Sequence, residues 1–395
     1  MEGALKGLKI ISFAQIAQGP HATQLLGDMG AEVIKVERRG SGEWMRQWSQ
    51  NNCFLDGEST SFLSLNRNKK SFTLDLKKQK GKEIARQLVK EGDVVVENFR
   101  PGVMERLGLG YQDLSEINPS IIYCSSSGYG TEGPYRDRPG QDLLAQAMSG
   151  LMSITGNKEG LPMPAGVAIS DWMASGLMVA GILAALHHRE KTGEGQKVEV
   201  NLLDALLDMQ AQEAVTYLNS GATPQRGERN IGHVYHEAPY GVYETKDGYI
   251  ALSLSPLKDL GELLELPELG EKYSTTEDAI KNRDEIARQI NGQLSDKPTS
   301  HWVNLFLDKD LWCAPVQDYD EVFNDPQVKA NEMVVDIDHP VIGEFKATGV
   351  PINMNKSDCT VEKPPPMLGE HNEEVLQELG YSAEEIDILR EKEII

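Results

Sequence analysis

The chain has 395 residues, 39% hydrophobic and 25% charged, a composition that suits a soluble globular protein of two or three domains whose core needs neither disulfides nor structural metal. A formal net charge of −22 argues against a broad basic surface, so nucleic acid is not expected as a partner, and an anionic ligand would need a local basic pocket. Cys53, Cys124, Cys313 and Cys359 are scattered without CxxC spacing, which excludes a zinc framework and fits reduced thiols in a cytoplasmic protein.

Met1 to Lys6 leads without a signal-peptide pattern into a strand over Leu8–Phe13. Gly19-Pro20 opens a helix that Gly30 ends, and Val33–Val36 is the next strand, one compact β-α-β unit with parallel neighbours. Strands follow at Ser71–Leu76, Asp93–Val96, Ser120–Ser125 and Lys197–Val200. Helices are expected at Lys82–Lys90, from Pro101, over Gly140–Leu151, over Asp171–His188 and over Leu202–Leu218. The apolar run Trp172–Leu186 is too short for a membrane span, so a buried helix is expected there, with His187 and His188 capping its end.

This alternation predicts an α/β fold, an open Rossmann-like parallel sheet with helices on both faces. After a polar link at Gly221–Arg229, Lys246-Asp247-Gly248 sits between two strand-like runs and predicts a hairpin. Helices at Thr276–Leu294 and Thr299–Leu307 complete a smaller α+β domain over 228–325. Short helices at His371–Leu379 and Ser382–Lys392 follow the stiff Pro364-Pro365-Pro366 run, so 330–395 is expected to rejoin 1–220 as a discontinuous large domain.

The first strand-to-helix turn, Ala14 to Pro20, lacks GxGxxG, and neither a P-loop nor a GxSxG elbow occurs, which disfavours nicotinamide, flavin, nucleotide-hydrolase and α/β-hydrolase chemistry. Asp171 opens an almost wholly apolar helix. It reads either as a helix cap or as a carboxylate placed for covalent catalysis.

Ala184 to Val198 (AALHHREKTGEGQKV) resembles the signature segment of family III CoA-transferases, a family that includes formyl-CoA and carnitine CoA-transferases. So do Gly30–Glu37, Glu97–Gly102, Gly128–Gly130 and Leu368–Leu376. The resemblance implies that Asp171 attacks an acyl-CoA to give an aspartyl anhydride and then an aspartyl-CoA thioester. It implies CoA contacts at Ala17, Gln18, Arg38, Leu74 to Lys77, Asn98, Phe99, Arg100, Arg106 and, near Pro139, at Gln141 and Asp142. It implies no metal and no tightly bound cofactor, acyl-CoA and a carboxylic acid as substrates, and an intertwined homodimer away from membranes. The run Asn230 to His236 carries one glycine where formyl-CoA transferases carry several, which disfavours oxalate and formate. Gln141 stands where the related α-methylacyl-CoA racemases carry a histidine base, which disfavours racemisation. A non-catalytic acyl-CoA-binding protein is the other alternative.

Overall fold

The computed structural model describes residues 1–229 and 231–395. Asn230, the first residue of the run compared with a polyglycine segment, lies outside them. The chain divides into two compact units, one of residues 1–145, 168–206 and 326–395, the other of 146–167 and 207–325. Residues 146–167 and 207–220, assigned above to the large domain, cluster with the second unit.

The first unit is built on β1 (Lys9–Ser12), β2 (Glu32–Glu37), β3 (Lys69–Thr73), β4 (Val94–Glu97), β5 (Ile122–Ser127) and β6 (Lys197–Asn201). They form one parallel sheet in the order β3-β2-β1-β4-β5-β6. Helices α1 (Gln18–Asp28), α2 (Gln79–Lys90), α3 (Asp142–Met148) and α4 (Ile169–Thr192) accompany these strands.

β1, β2 and β4 are rich in apolar residues because both faces are covered, whereas β3 (KKSFT) and β6 (KVEVN) are more polar. Alternate residues go to opposite sides. Ile11, Ile34, Val36, Phe72 and Val95 pack with Ile84 and Leu88 of α2 and with Val375 and Leu376 near the C-terminus. Ile10, Val33, Val94 and Val96 pack with Leu26 of α1 and with Met178, Ile182 and Ala185 of α4. Each such side chain, fully buried, contributes about 1.5–3 kcal/mol.

The strand order reverses at β1, since β2 lies on one side and β4 on the other. In open α/β sheets the crevice beyond the C-terminal strand ends at such a point is where ligands bind. Here it is flanked by the turn after β1 and the segment after β4.

The second unit carries a three-stranded antiparallel sheet of β7 (Gly241–Glu244), β8 (Tyr249–Leu252) and β9 (Cys313–Pro315), in the order β9-β8-β7. The expected Asp247-Gly248 hairpin is present, closed by the Thr245 N–H donating to the Gly248 carbonyl at 2.9 Å. Tyr243, Ile250, Ile286, Ile290, Trp302 and Phe306 form its core.

Several expected elements differ. Gly140–Leu151 is two helices, because Gly150 adopts φ +90° and the chain restarts at Leu151. Leu202–Leu218 breaks at Gln210, and Thr276–Leu294 at Asn282. In all three the apolar periodicity runs on across the break. The hairpin of β10 (Val334–His339) and β11 (Gly343–Thr348) was not expected. His187 and His188 do not cap α4. The helix continues through Glu190 to Thr192, places Arg189 and Lys191 in its last turn and ends at Gly193, φ +77°. By length and hydropathy α4 is sufficient to cross a membrane, yet one face of it, Met178, Ile182 and Ala185 included, lies in the sheet core.

Candidate active site

Asp171 sits in the first turn of α4, two residues inside the helix. A carboxylate there ordinarily caps free backbone N–H groups. In this chain the task falls to Asp142, the first residue of α3. Its Oδ1 accepts from the Ser170 backbone N–H at 2.8 Å and from Ser170 Oγ at 2.6 Å. Ala168, the residue before the helix, offers no side-chain cap. Among the described residues no hydrogen bond or ion pair engages the Asp171 carboxylate. Burial raises its pKa to about 7, and the neighbouring negative charge of Asp142 adds to the rise.

Helix α1 packs against α4. His21, on the first turn of α1, stands edge-on to Trp172 with ring centroids 4.4 Å apart, and its Nδ1 lies 2.7 Å from Ser175 Oγ. Burial lowers the His21 pKa to about 4, helped by Lys69 and Arg67, so the ring is neutral at pH 7. Ala17 is buried just before α1, and Gln18 begins it. Gln18 Oε1 accepts from Ser126 Oγ beyond the middle of β5 at 2.5 Å.

Asn98 follows β4. It accepts from the Gln15 N–H at 2.9 Å and donates to the Gln15 carbonyl at 2.8 Å, joining the two walls of the crevice. Glu97, the last residue of β4, is buried. Desolvation pushes its pKa up to about 8, although the Phe99 N–H donates to it at 2.9 Å.

Arg38, Leu74, Lys77 and Phe99 line one cavity of about 420 Å³, with Arg39, Lys78 and Glu393 beside them. Phe99 also borders a small void of about 20 Å³ with Arg100, Glu97 and Tyr123. Arg106 is brought to Gly102 together with Arg136, which the sequence alone did not single out: a Cβ built on Gly102 would lie 3.0 Å from one guanidinium and 3.7 Å from the other. In the first cavity the cations share the lining with Glu37, Asp75 and Glu393, and Arg39 and Lys78 pair with Glu393 at 3.5 and 3.9 Å. Gln141 is exposed, and its carbonyl accepts from the Leu144 and Ala145 N–H groups in α3.

The loop from β5 to α3 closes on itself, since Gly128 and Gly140 touch. A Cβ on either would stand 2.4 Å from the other's Cα, so neither position tolerates a side chain without displacement of backbone. Between them Tyr129 faces Tyr135 edge-on, and the Arg138 guanidinium lies over the Tyr135 ring at 3.8 Å. Among the described residues no group of three or more His, Cys, Asp or Glu is placed to hold a metal ion.

Lys35 and Glu43 escaped the sequence analysis. The one available signal was a lysine inside the apolar run of β2. Nothing near Glu43 marks it.

A family model described as CoA-transferase family III matches residues 5–372. The chain is 38% identical over 381 residues to succinyl-CoA:glutarate CoA-transferase of Mus musculus, covering 95% of this chain and 86% of that protein. It is 36% identical over 391 residues to succinyl-CoA:mesaconate CoA-transferase of Haloarcula hispanica, covering 96% and 97%. The crystal structure of a CAIB/BAIF family protein from Brucella suis superposes with a TM-score of 0.85 at 32% identity, covering 96% of this chain and all of that one.

Proposed function

Because the chain belongs to CoA-transferase family III, we propose that it moves CoA from an acyl-CoA donor to a free carboxylic acid, with Asp171 as the covalent nucleophile. The observation that carries this reading is the Asp171 carboxylate, partly buried at the start of α4 yet relieved of capping by Asp142. A partly buried carboxylate with no hydrogen-bond or ion-pair partner among the described residues is suited to act as a nucleophile.

The sequence of bonds is as follows. One Asp171 oxygen attacks the thioester carbon of the donor, and the C–S bond breaks to leave an aspartyl–acyl anhydride and CoA thiolate. The thiolate attacks the Asp171 carbonyl carbon and expels the donor acid as a carboxylate. The acceptor carboxylate attacks the resulting aspartyl-CoA thioester, and the released thiolate takes the acceptor acyl group from the new anhydride. Asp171 is regenerated, and no net proton or electron is consumed. Each intermediate is prone to hydrolysis, so the reaction depends on exclusion of water.

Arg38 and Lys77 are suited to the phosphates of CoA. Phosphates lie far from the reacting carbon, so these residues bind ground and transition state alike. Replacing both with alanine is expected to raise KM for acyl-CoA by about tenfold or more, with kcat changed little. Steady-state kinetics over a range of salt checks this. An unchanged KM at low salt would remove both residues from the site.

The names of the relatives make small dicarboxylic acids the first substrates to assay, beginning with succinyl-CoA and glutarate. The test of the reading itself is trapping. Incubation with succinyl-CoA and then hydroxylamine should convert Asp171 to its hydroxamate, detected by peptide mass spectrometry. Turnover with an unmodified Asp171 at every time point would sink the mechanism.

A further inference from the structure

Ile16, in the turn between β1 and α1, has φ +68°. A β-branched residue in the left-handed region is strained, and glycine would occupy it freely. The side chain is 42% exposed, so core packing does not hold it there. Polar contacts from three directions do. Asn98 binds both backbone groups of Gln15. The Ile16 N–H donates to Glu43 Oε2 at 2.6 Å. Lys35 Nζ donates to the Ala14 carbonyl at 2.9 Å and stands 2.8 Å from Glu43 Oε1, an ion pair rather than an aligned hydrogen bond.

The Lys35 and Glu43 side chains are only 1% and 4% exposed. A buried ion pair is often no more stable than well-packed apolar residues in its place, and breaking one partner away leaves a buried charge alone. Stability by itself therefore does not explain a lysine within the apolar strand β2. The turn it holds runs directly into Ala17 and Gln18. It also sets the start of α1, whose His21 meets Trp172 beside Asp171.

We infer that Lys35 and Glu43 are positioning residues, which force the Ala14–Gln18 turn into a strained shape that the acyl-CoA site requires. The inference rests on the CoA-transfer reading above. The pair touches no reacting atom in this scheme. It acts through the backbone of Ile16 and Ala14, and the strain it imposes is a shape that the turn would otherwise leave.

The test is a double-mutant cycle between Glu43→Ala and Ile16→Gly on the full chain. CoA affinity is read by calorimetry, and KM and kcat with succinyl-CoA and glutarate. Glu43→Ala is expected to weaken CoA binding and raise KM by about tenfold or more, with a smaller fall in kcat. Ile16→Gly in that background should recover most of the loss, because glycine takes positive φ unaided. Glu43→Gln keeps an acceptor for the Ile16 N–H and should stay within a few-fold of the unaltered chain. A folded Glu43→Ala protein with unchanged CoA affinity and KM would overturn the proposal, as would a loss that Ile16→Gly deepens. If Glu43→Ala does not fold, Asn98→Ala, which releases the turn from its other side, takes its place in the same cycle with the same two outcomes. Absence of CoA binding by the unaltered chain is a different failure: it overturns the CoA reading and this proposal with it.

Discussion

Asparagine at position 171 is expected to lower kcat/KM for CoA transfer by roughly four orders of magnitude or more, the scale on which a covalent nucleophile is lost. The amide is nearly isosteric with the carboxylate but cannot form an anhydride. Because Asp142, not Asp171, caps α4 through Ser170, the substitution leaves the helix start intact. Affinity for CoA should therefore stay within a few-fold, since the cations around Arg38 and Lys77 are untouched. Label exchange between acyl-CoA and free acid gives the rate, and calorimetry gives the affinity. Retention of more than a few per cent of the activity would mean that a different group attacks the thioester.

The same substitution should stabilise the protein, and more so at high pH. Burial and the charge of Asp142 raise the Asp171 pKa to about 7 in the folded chain. In the unfolded chain it titrates near its ordinary value of about 4. Between these values the folded state holds a proton that the unfolded state has released, so stability falls as pH rises through this window. The stability is fully present below the unfolded pKa and lost once pH passes the folded one. Above pH 7 the ionised Asp171 costs the fold about 2–4 kcal/mol, a cost that asparagine does not carry. Thermal midpoints of the two proteins should separate less at pH 5, where about a third of this cost is present, than at pH 8.5, where they should differ by several degrees. Equal separation at both values would show that Asp171 is not desolvated. The activity of the unaltered chain should run the opposite way. Only the carboxylate attacks, so single-turnover adduct formation should rise with pH and level off above about 7.

The sheet was legible because parallel strands covered on both faces are written as apolar runs such as those of β1, β2 and β4, with helix signals such as Gly19-Pro20 between them. Breaks inside helices were not, since at Gln210 and Asn282 the periodicity continues on both sides and only tertiary packing decides where the axis turns. Asp171 was located by its place at the start of an apolar helix, and only the family resemblance, not that local pattern, gave it a role. A cap and a spare nucleophile look alike in a local pattern, and what bears on the difference is Asp142, 28 residues before the Ser170 that it caps and adjacent only after folding. The Lys35–Glu43 pair left a single trace, the lysine within β2, for a related reason. Its meaning lies in the backbone of Ile16, and a positive φ at isoleucine is a state that no local pattern announces.

The contact between Gly128 and Gly140 has a bearing on how such a protein changes over time. Eleven residues leave the sheet and return to their point of departure, so their two ends are fixed whatever lies between. Closing a longer or shorter loop across fixed ends changes the entropy only slowly with length. Insertion, deletion or wholesale exchange of that stretch can therefore be absorbed at the surface while the helix that begins at Asp142 keeps its place. Diversity can accumulate there in descendants of this chain, at the two residues' insistence on having no side chains.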